Sequence, residues 1–224
     1  VTVALPPEAE VLRQEVREFV AYYETLPEEV RRKALSDRGY LVPHWPRPWG
    51  RGAGPVEQLV IEEEFAGVRR PDLSVSAWNT LTIAQHGSAE QLDRFVRPSL
   101  LGEIEFCQLF SEPGAGSDAA AVQTRGVKED GGWRVSGQKV WISTAQIAEK
   151  VLLLARTTPL EECAKPAQGL SLFYTDLDRK HVEVREIEKM GRKAVDSNQV
   201  FFDAMPVPVA DRIGEEGRGF DYIL

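Results

Sequence analysis

Along the first hundred residues, apolar side chains recur at helical spacing. Leu12, Val16, Phe19, Val20 and Tyr23 fall three or four positions apart behind Pro6-Pro7, a pair that suits the opening turn of a helix. A second helix is predicted from about Pro27 to Asp37, stopped by Gly39. Three prolines, two tryptophans and three glycines between Leu41 and Gly54 exclude any regular element there. Helical patterning resumes from Pro55 to Gly67. Asp72 is placed to cap a fourth helix with Leu73, Ala77, Leu81 and Ala84 on its apolar face. Ser88 followed by Gln91 is a capping box for a fifth, which would bury Leu92, Phe95, Val96 and Leu100.

At Gly102 the period changes. Short β-type runs follow at Glu105–Phe110, Trp133–Val135, Lys139–Ile142, Val151–Arg156, Leu170–Thr175, Val182–Ile187 and Gln199–Phe202. Asp130-Gly131-Gly132 reads as a hairpin turn. Helices followed by strands, without alternation, predict an α+β chain: a helical domain over residues 1–101 and an antiparallel β-barrel or sandwich over residues 102–213. Residues 214–224 open on a glycine-rich turn and then start a new apolar pattern, read as the first turn of a further segment. No internal repeat or low-complexity tract is visible.

The composition is that of a globular domain. Of the 224 residues, 42% are hydrophobic and 28% charged, and 27 basic against 35 acidic side chains leave a net charge of −8. An acidic balance argues against a nucleic-acid partner. Apolar runs stay far short of the roughly 20 residues that span a bilayer. Two cysteines, Cys107 and Cys163, make no disulfide framework, and the first ten residues resemble no export signal, so a cytoplasmic location is expected.

Chemistry concentrates in two stretches. In Phe106-Cys107-Gln108-Leu109-Phe110-Ser111-Glu112-Pro113-Gly114-Ala115-Gly116-Ser117-Asp118 a strand runs into a turn of glycines and small residues, where backbone can approach a ligand closely. It lacks the order of a nucleotide P-loop and the helix of a dinucleotide fingerprint. Some thirty residues on stands Gly137-Gln138-Lys139-Val140-Trp141-Ile142-Ser143. There Trp141 and Ser143, two apart, would share a strand face. With Ser111 they offer two neutral donors and an aromatic plate, a set that suits a flavin ring better than a metal or a phosphate. The plainer readings are a strand-to-loop corner and a packed core tryptophan.

At these residues the chain resembles the acyl-CoA dehydrogenase family of flavoproteins. Lys189-Met190-Gly191-Arg192, Val200-Phe201-Phe202-Asp203 and Val207-Pro208 look like the same family's later strands, and Pro43-His44-Trp45 and Pro55-Val56-Glu57-Gln58 fit its N-terminal helical domain. The resemblance implies an N-terminal helical domain, a middle β domain and a C-terminal helical bundle, with FAD held between the last two. It implies that Gln108, Leu109, Phe110, Ser111, Gly116, Ser117, Trp141, Ile142 and Ser143 line the flavin, and that Ser117 also touches the pantetheine arm of the substrate. The implied reaction is α,β-dehydrogenation of an acyl-CoA to the trans-2-enoyl thioester, with electrons passed to an electron-transferring flavoprotein by a homodimer or homotetramer. Ser111 stands where the family often has threonine, which keeps the hydroxyl.

The resemblance implies a carboxylate base in the bundle, so no catalytic residue is nominated, and the chain alone is expected to bind FAD weakly or not at all and to have no dehydrogenase activity. An acyl-CoA oxidase or related flavin monooxygenase, and a non-catalytic subunit or remnant, stand as alternatives. Of the remaining chemical side chains, Cys107 reads as packing, and His44, His86 and His181 are too scattered for a metal site. Glu62-Glu63-Glu64 reads as a solvated helix face. Arg179-Lys180 and Arg192-Lys193 read as solubility charges, with coenzyme A phosphates as the alternative.

Overall fold

A computed structural model describes residues 6–71 and 73–224, with backbone alone at 74–76. Asp72, the expected cap of the fourth helix, lies outside the described residues. The chain divides into two compact units, Val1–Ser74 and Val75–Leu224.

Among the described residues the first unit holds three helices, α1 (Pro7–Thr25), α2 (Glu28–Arg38) and α3 (Pro55–Glu64). The spacing in α1 does what the sequence suggests: Val16, Phe19 and Tyr23 are buried against Leu35, Tyr40, Ile61 and Phe65, with Leu12 and Val20 at the margin. Gly39 ends α2 at φ +72°, a left-handed conformation that glycine takes without steric cost. Glu62 and Glu63 are solvated as expected, but all three carboxylates are paired and Glu64 is partly covered. Glu64 pairs with Arg13 at 2.6 Å and Arg17 at 2.7 Å, Glu63 pairs with Arg13 at 2.8 Å, and Glu62 pairs with Arg70. A carboxylate-rich end of α3 thus meets an arginine-rich face of α1.

In the second unit, α4 (Ser74–His86) precedes a helix, α5, that is α over Ala89–Gln91, π over Leu92–Val96 and α again over Arg97–Leu101. The expected capping box forms, Ser88 N–H donating to Gln91 Oε1 at 2.9 Å. In α4 the buried positions are Asn79, Thr80 and Ile83, while Trp78 is exposed and Ala77, Leu81 and Ala84 are half-buried. The buried face is rotated from the one predicted and takes in two of the helix's polar residues, Asn79 and Thr80.

Eight strands follow: β1 (Phe106–Leu109), β2 (Arg125–Glu129), β3 (Gly132–Ile142), β4 (Lys150–Arg156), β5 (Leu170–Asp176), β6 (Val182–Glu186), β7 (Asn198–Pro208) and β8 (Arg212–Ile213). The sheet runs β6-β7-β3-β2-β4-β5-β8, with β1 beside β4. It is mostly antiparallel, as expected; β1 and one residue of β2 pair with β4 in parallel. β2 was missed altogether, since Arg125-Gly126-Val127-Lys128-Glu129 holds a single large apolar residue. The two runs at 133–135 and 139–142 are one bulged strand. Residues from β6 (Val182), β7 (Val200, Phe202, Met205), β3 (Val135, Ile142), β1 (Cys107, Leu109), β4 (Val151, Leu153) and β5 (Phe173) share one core, so the sheet curls over itself. The outer face of β5 carries Tyr174, 4.4 Å from Phe95 of α5 and 5.5 Å from Phe106 between ring centroids. Residues 217–219 lie along β5, Gly219 N–H donating to the Leu170 carbonyl at 2.6 Å.

Candidate functional site

The two motifs read from the sequence lie side by side. The backbone N–H of Val140 donates to the Ser111 carbonyl at 2.9 Å, and the Thr144 hydroxyl reaches the Phe106 carbonyl at 3.4 Å. The segment 140–144 therefore runs antiparallel to 106–111, bracketed at both ends. Gln108, Phe110, Ser111 and Ser143 are half-buried, and Gly116, Ser117 and Trp141 are exposed. Leu109 and Ile142 point into the sheet core, so only their backbone is left to meet a ligand.

Trp141 is not a core residue: it is 63% exposed and sits at φ +63°. A left-handed bulky residue is a strained one. β3 ends at Ile142, so the alternation expected to put Ser143 on the Trp141 face does not carry that far. The tight turn at 112–115 closes with Glu112 N–H donating to Ala115 O at 2.8 Å and Ala115 N–H returning to Glu112 O at 3.1 Å. A Cβ added at Gly114 or Gly116 would meet nothing within 4 Å, and neither takes a positive φ. The chain's own fold asks for no glycine at either position.

What ties the two motifs together is a pair the sequence reading missed. Lys139, fully buried, sets its ammonium 2.8 Å from Glu112 Oε1, 3.1 Å from the Phe110 carbonyl and 2.8 Å from the Leu154 carbonyl. Glu112 also accepts the backbone N–H groups of Gln123 at 2.8 Å and Thr124 at 2.9 Å. Two strands, β3 and β4, and both ends of the connection from β1 to β2 meet at one ion pair. Burial lowers Lys139 from its ordinary value to about 8 despite the carboxylate beside it. For Glu112, burial pushes upward, yet the ammonium and the N–H donors outweigh it and leave the carboxyl below its usual range. The signal was a charge inside an apolar strand, Lys139 next to Val140-Trp141-Ile142.

Beyond Ser117 a groove of about 610 Å³ opens between residues 118–128 and 156–166. Arg156 forms part of its wall and donates to the carbonyls of Val122, Gln168, Ala120 and Pro166 at 2.9–3.3 Å. It holds the two rims by their backbones. Arg179 likewise donates to the carbonyls of Ala145, Gln146 and Ala148, which gives it a structural partner set rather than a free phosphate-binding role. Cys107 is buried and its thiol is pushed up to about 12 by burial. Among the described residues no group of His, Cys, Asp or Glu could hold a metal, and no helix is long and apolar enough to cross a membrane.

Two family profiles match the chain: "Acyl-CoA dehydrogenase, N-terminal domain" over residues 6–103 and "Acyl-CoA dehydrogenase, middle domain" over residues 107–205. The chain is 44% identical over 211 residues to "Acyl-CoA dehydrogenase FadE34" of Mycobacterium tuberculosis, an alignment that covers 93% of this chain and 29% of the relative. Among solved structures it is similar to the ChsE4-ChsE5 complex from Mycobacterium tuberculosis (30% identity, TM-score 0.73, 100% of this chain and 60% of that one). It is similar also to the Tcur3481-Tcur3483 steroid ACAD (28% identity, TM-score 0.73, 100% and 61%). The chain thus spans less than two thirds of the length of these relatives.

Proposed function

Because the chain belongs to the acyl-CoA dehydrogenase family and comprises its N-terminal and middle domains, we propose that it forms part of a flavoprotein that desaturates an acyl-CoA thioester between its α and β carbons. The observation that carries the reading is the pairing of segments 106–111 and 140–144, with an indole held outward on strained backbone at their junction. An exposed tryptophan in a costly conformation has no role in the core it leaves.

Several residues present fit FAD and a pantetheine arm. Trp141 offers an aromatic plate, Ser111 and Ser143 offer neutral hydroxyl donors, and Gln108 and Phe110 stand beside them on partly exposed chain. The open glycines at 114 and 116 leave bare backbone for a ligand to pass. Ser117 stands next to Asp118 on the rim of the apolar groove, where it would meet the thioester arm. Bound FAD would supply hydride acceptance. This chain's residues would orient the ring, exclude water from its face and donate hydrogen bonds to its polar edge.

The proton-abstracting carboxylate is expected outside residues 1–224. Glu112 is committed to Lys139, Gln123 and Thr124, and Asp211 to Thr175 and Arg94. Electron-transferring flavoprotein is the acceptor expected by family. The test is a visible spectrum of the native protein, purified with whatever continues or accompanies the chain, then anaerobic bleaching with a panel of acyl-CoA thioesters. A colourless protein, or a yellow one that no thioester bleaches, would overturn the reading.

A two-chain assembly is a second reading, favoured by the ChsE4-ChsE5 and Tcur3481-Tcur3483 relatives, each named for two different chains. Co-purification of an unlike subunit would support it, and a single species of chain in the active protein would exclude it. The steroid named for the second of these relatives makes bulky polycyclic thioesters part of the panel.

A further inference from the structure

The left-handed backbone at Trp141 has a neighbour in the same state: Thr144 stands at φ +63° as well. Two strained residues within four positions persist only where surrounding contacts over-determine them. The contacts come from the start of β7. Between the register pairs Lys139↔Val200 and Ile142↔Asn198, β3 carries one residue more than its partner, a bulge that re-aims the Trp141 side chain. Asn198, fully buried, donates from Nδ2 to the Ile142 carbonyl at 2.9 Å and to Asp196 Oδ2 at 2.6 Å, and accepts from Gln146 Nε2 at 3.1 Å. Asp196 Oδ1 in turn accepts the Thr144 N–H at 2.7 Å. The strained segment is thus held at Ile142 and at Thr144 by two side chains.

We propose that Asp196 and Asn198 are positioning residues that clamp segment 141–144 and thereby set the indole of Trp141 and the hydroxyl of Ser143 toward the bound flavin. The assignment rests on the flavin reading above. Neither side chain need touch the ring; each acts through the backbone it holds. The sheet alone would not do this, because regular pairing would return Trp141 to the extended region and take its side chain off the bulge.

The experiment compares native holoprotein with Asp196→Ala and Asn198→Ala. Asn198 is buried, so the test does not hang on its variant alone; Asp196 lies in a loop, half-exposed. Three quantities are read: amide exchange at Thr144 in the flavin-free protein, the dissociation constant for FAD, and the visible circular dichroism of bound flavin. Each variant is expected to speed Thr144 exchange and raise the FAD constant by at least about tenfold, 1.4 kcal/mol. The dichroism of whatever flavin remains bound should change. A merely structural loss would lower the melting temperature and leave the dichroism of bound flavin as in the parent, which would overturn the assignment. Freed Thr144 with unchanged affinity would overturn it too, with the flavin reading intact. A parent protein that holds no flavin would overturn that reading first, a result distinct from either.

Discussion

The helical unit and the sheet unit both join their elements with opposite charges, at opposite depths. In the helical unit Arg13 and Arg17 of α1 meet Glu63 and Glu64 of α3 at the surface, where water and salt screen them. In the sheet unit Lys139 and Glu112 meet with side chains 0% and 7% exposed. The surface pairs decorate a contact already made by Val16, Phe19, Ile61 and Phe65. The buried pair lies among strands that share an apolar core, and it adds directed bonds that the surface pairs do not: the ammonium donates to the Phe110 and Leu154 carbonyls, and the carboxylate accepts the Gln123 and Thr124 N–H groups. Charge here specifies which strands and loops meet, and the candidate site is built where they do.

Removing one buried partner is the strongest way to press that contrast. Glu112→Ala leaves Lys139 in a dry site with two carbonyls for company, and is expected to destabilise the sheet unit by about 3–5 kcal/mol. Urea unfolding followed by tryptophan fluorescence would read it. A loss no larger than that of a surface pair would mean the strands are aligned by the apolar core alone.

The same pair sets a sign for pH. The folded-state pKa of Glu112 is depressed, so its contribution is present above the ordinary carboxyl value and is lost as pH falls through the lower folded one. Asp211 runs the other way: burial raises it, so the native state binds its proton more readily and its cost appears as pH rises. Acid unfolding of the parent should therefore steepen below the usual carboxylate range. In Glu112→Gln that limb should flatten, since no carboxylate remains to be protonated at that position. Unchanged steepness in the variant would assign the acid limb to other carboxylates.

Much of this architecture could be read before any coordinates. Helical spacing placed Val16, Phe19 and Tyr23 on the buried face of α1, and the capping box at Ser88 and Gln91 opened α5 where expected. The two candidate motifs stood out only together with the rest of the family pattern, and what the structure adds is that they lie side by side. What escaped was whatever depends on distant partners. Lys139 stands out as a charge beside an apolar run, but nothing local names Glu112 as its partner, and Asp196 and Asn198 look like loop polars until they reach segment 142–144. β2 lacked apolar alternation because only Gly126 of its residues is buried. No local rule puts a tryptophan at positive φ; the bulge does, and bulges are made by pairing.

Trp141 lets the contrast be sharpened at smaller scale. Trp141→Gly removes a mostly exposed indole and the left-handed penalty together, so the flavin-free protein should gain stability, by about 1 kcal/mol. Its flavin affinity should fall. A gain in stability with a loss of binding would show that the strain belongs to the site and not to the fold. A loss of stability would mean that the indole packs in the flavin-free protein, and would remove the reason for calling it a plate.

The weakest effect should come from the surface pairs themselves. Arg17 holds the Glu64 carboxyl below its usual range, with Arg13 adding to the effect. Yet each partner keeps access to water, and the entropy of fixing long side chains offsets most of the attraction. Glu64→Gln should shift the melting point by only a small fraction of the shift for Glu112→Ala, and concentrated salt should erase even that. A salt-insensitive loss comparable to Glu112→Ala would place the α1–α3 charges among the elements that specify the fold, and depth would no longer separate the two clusters.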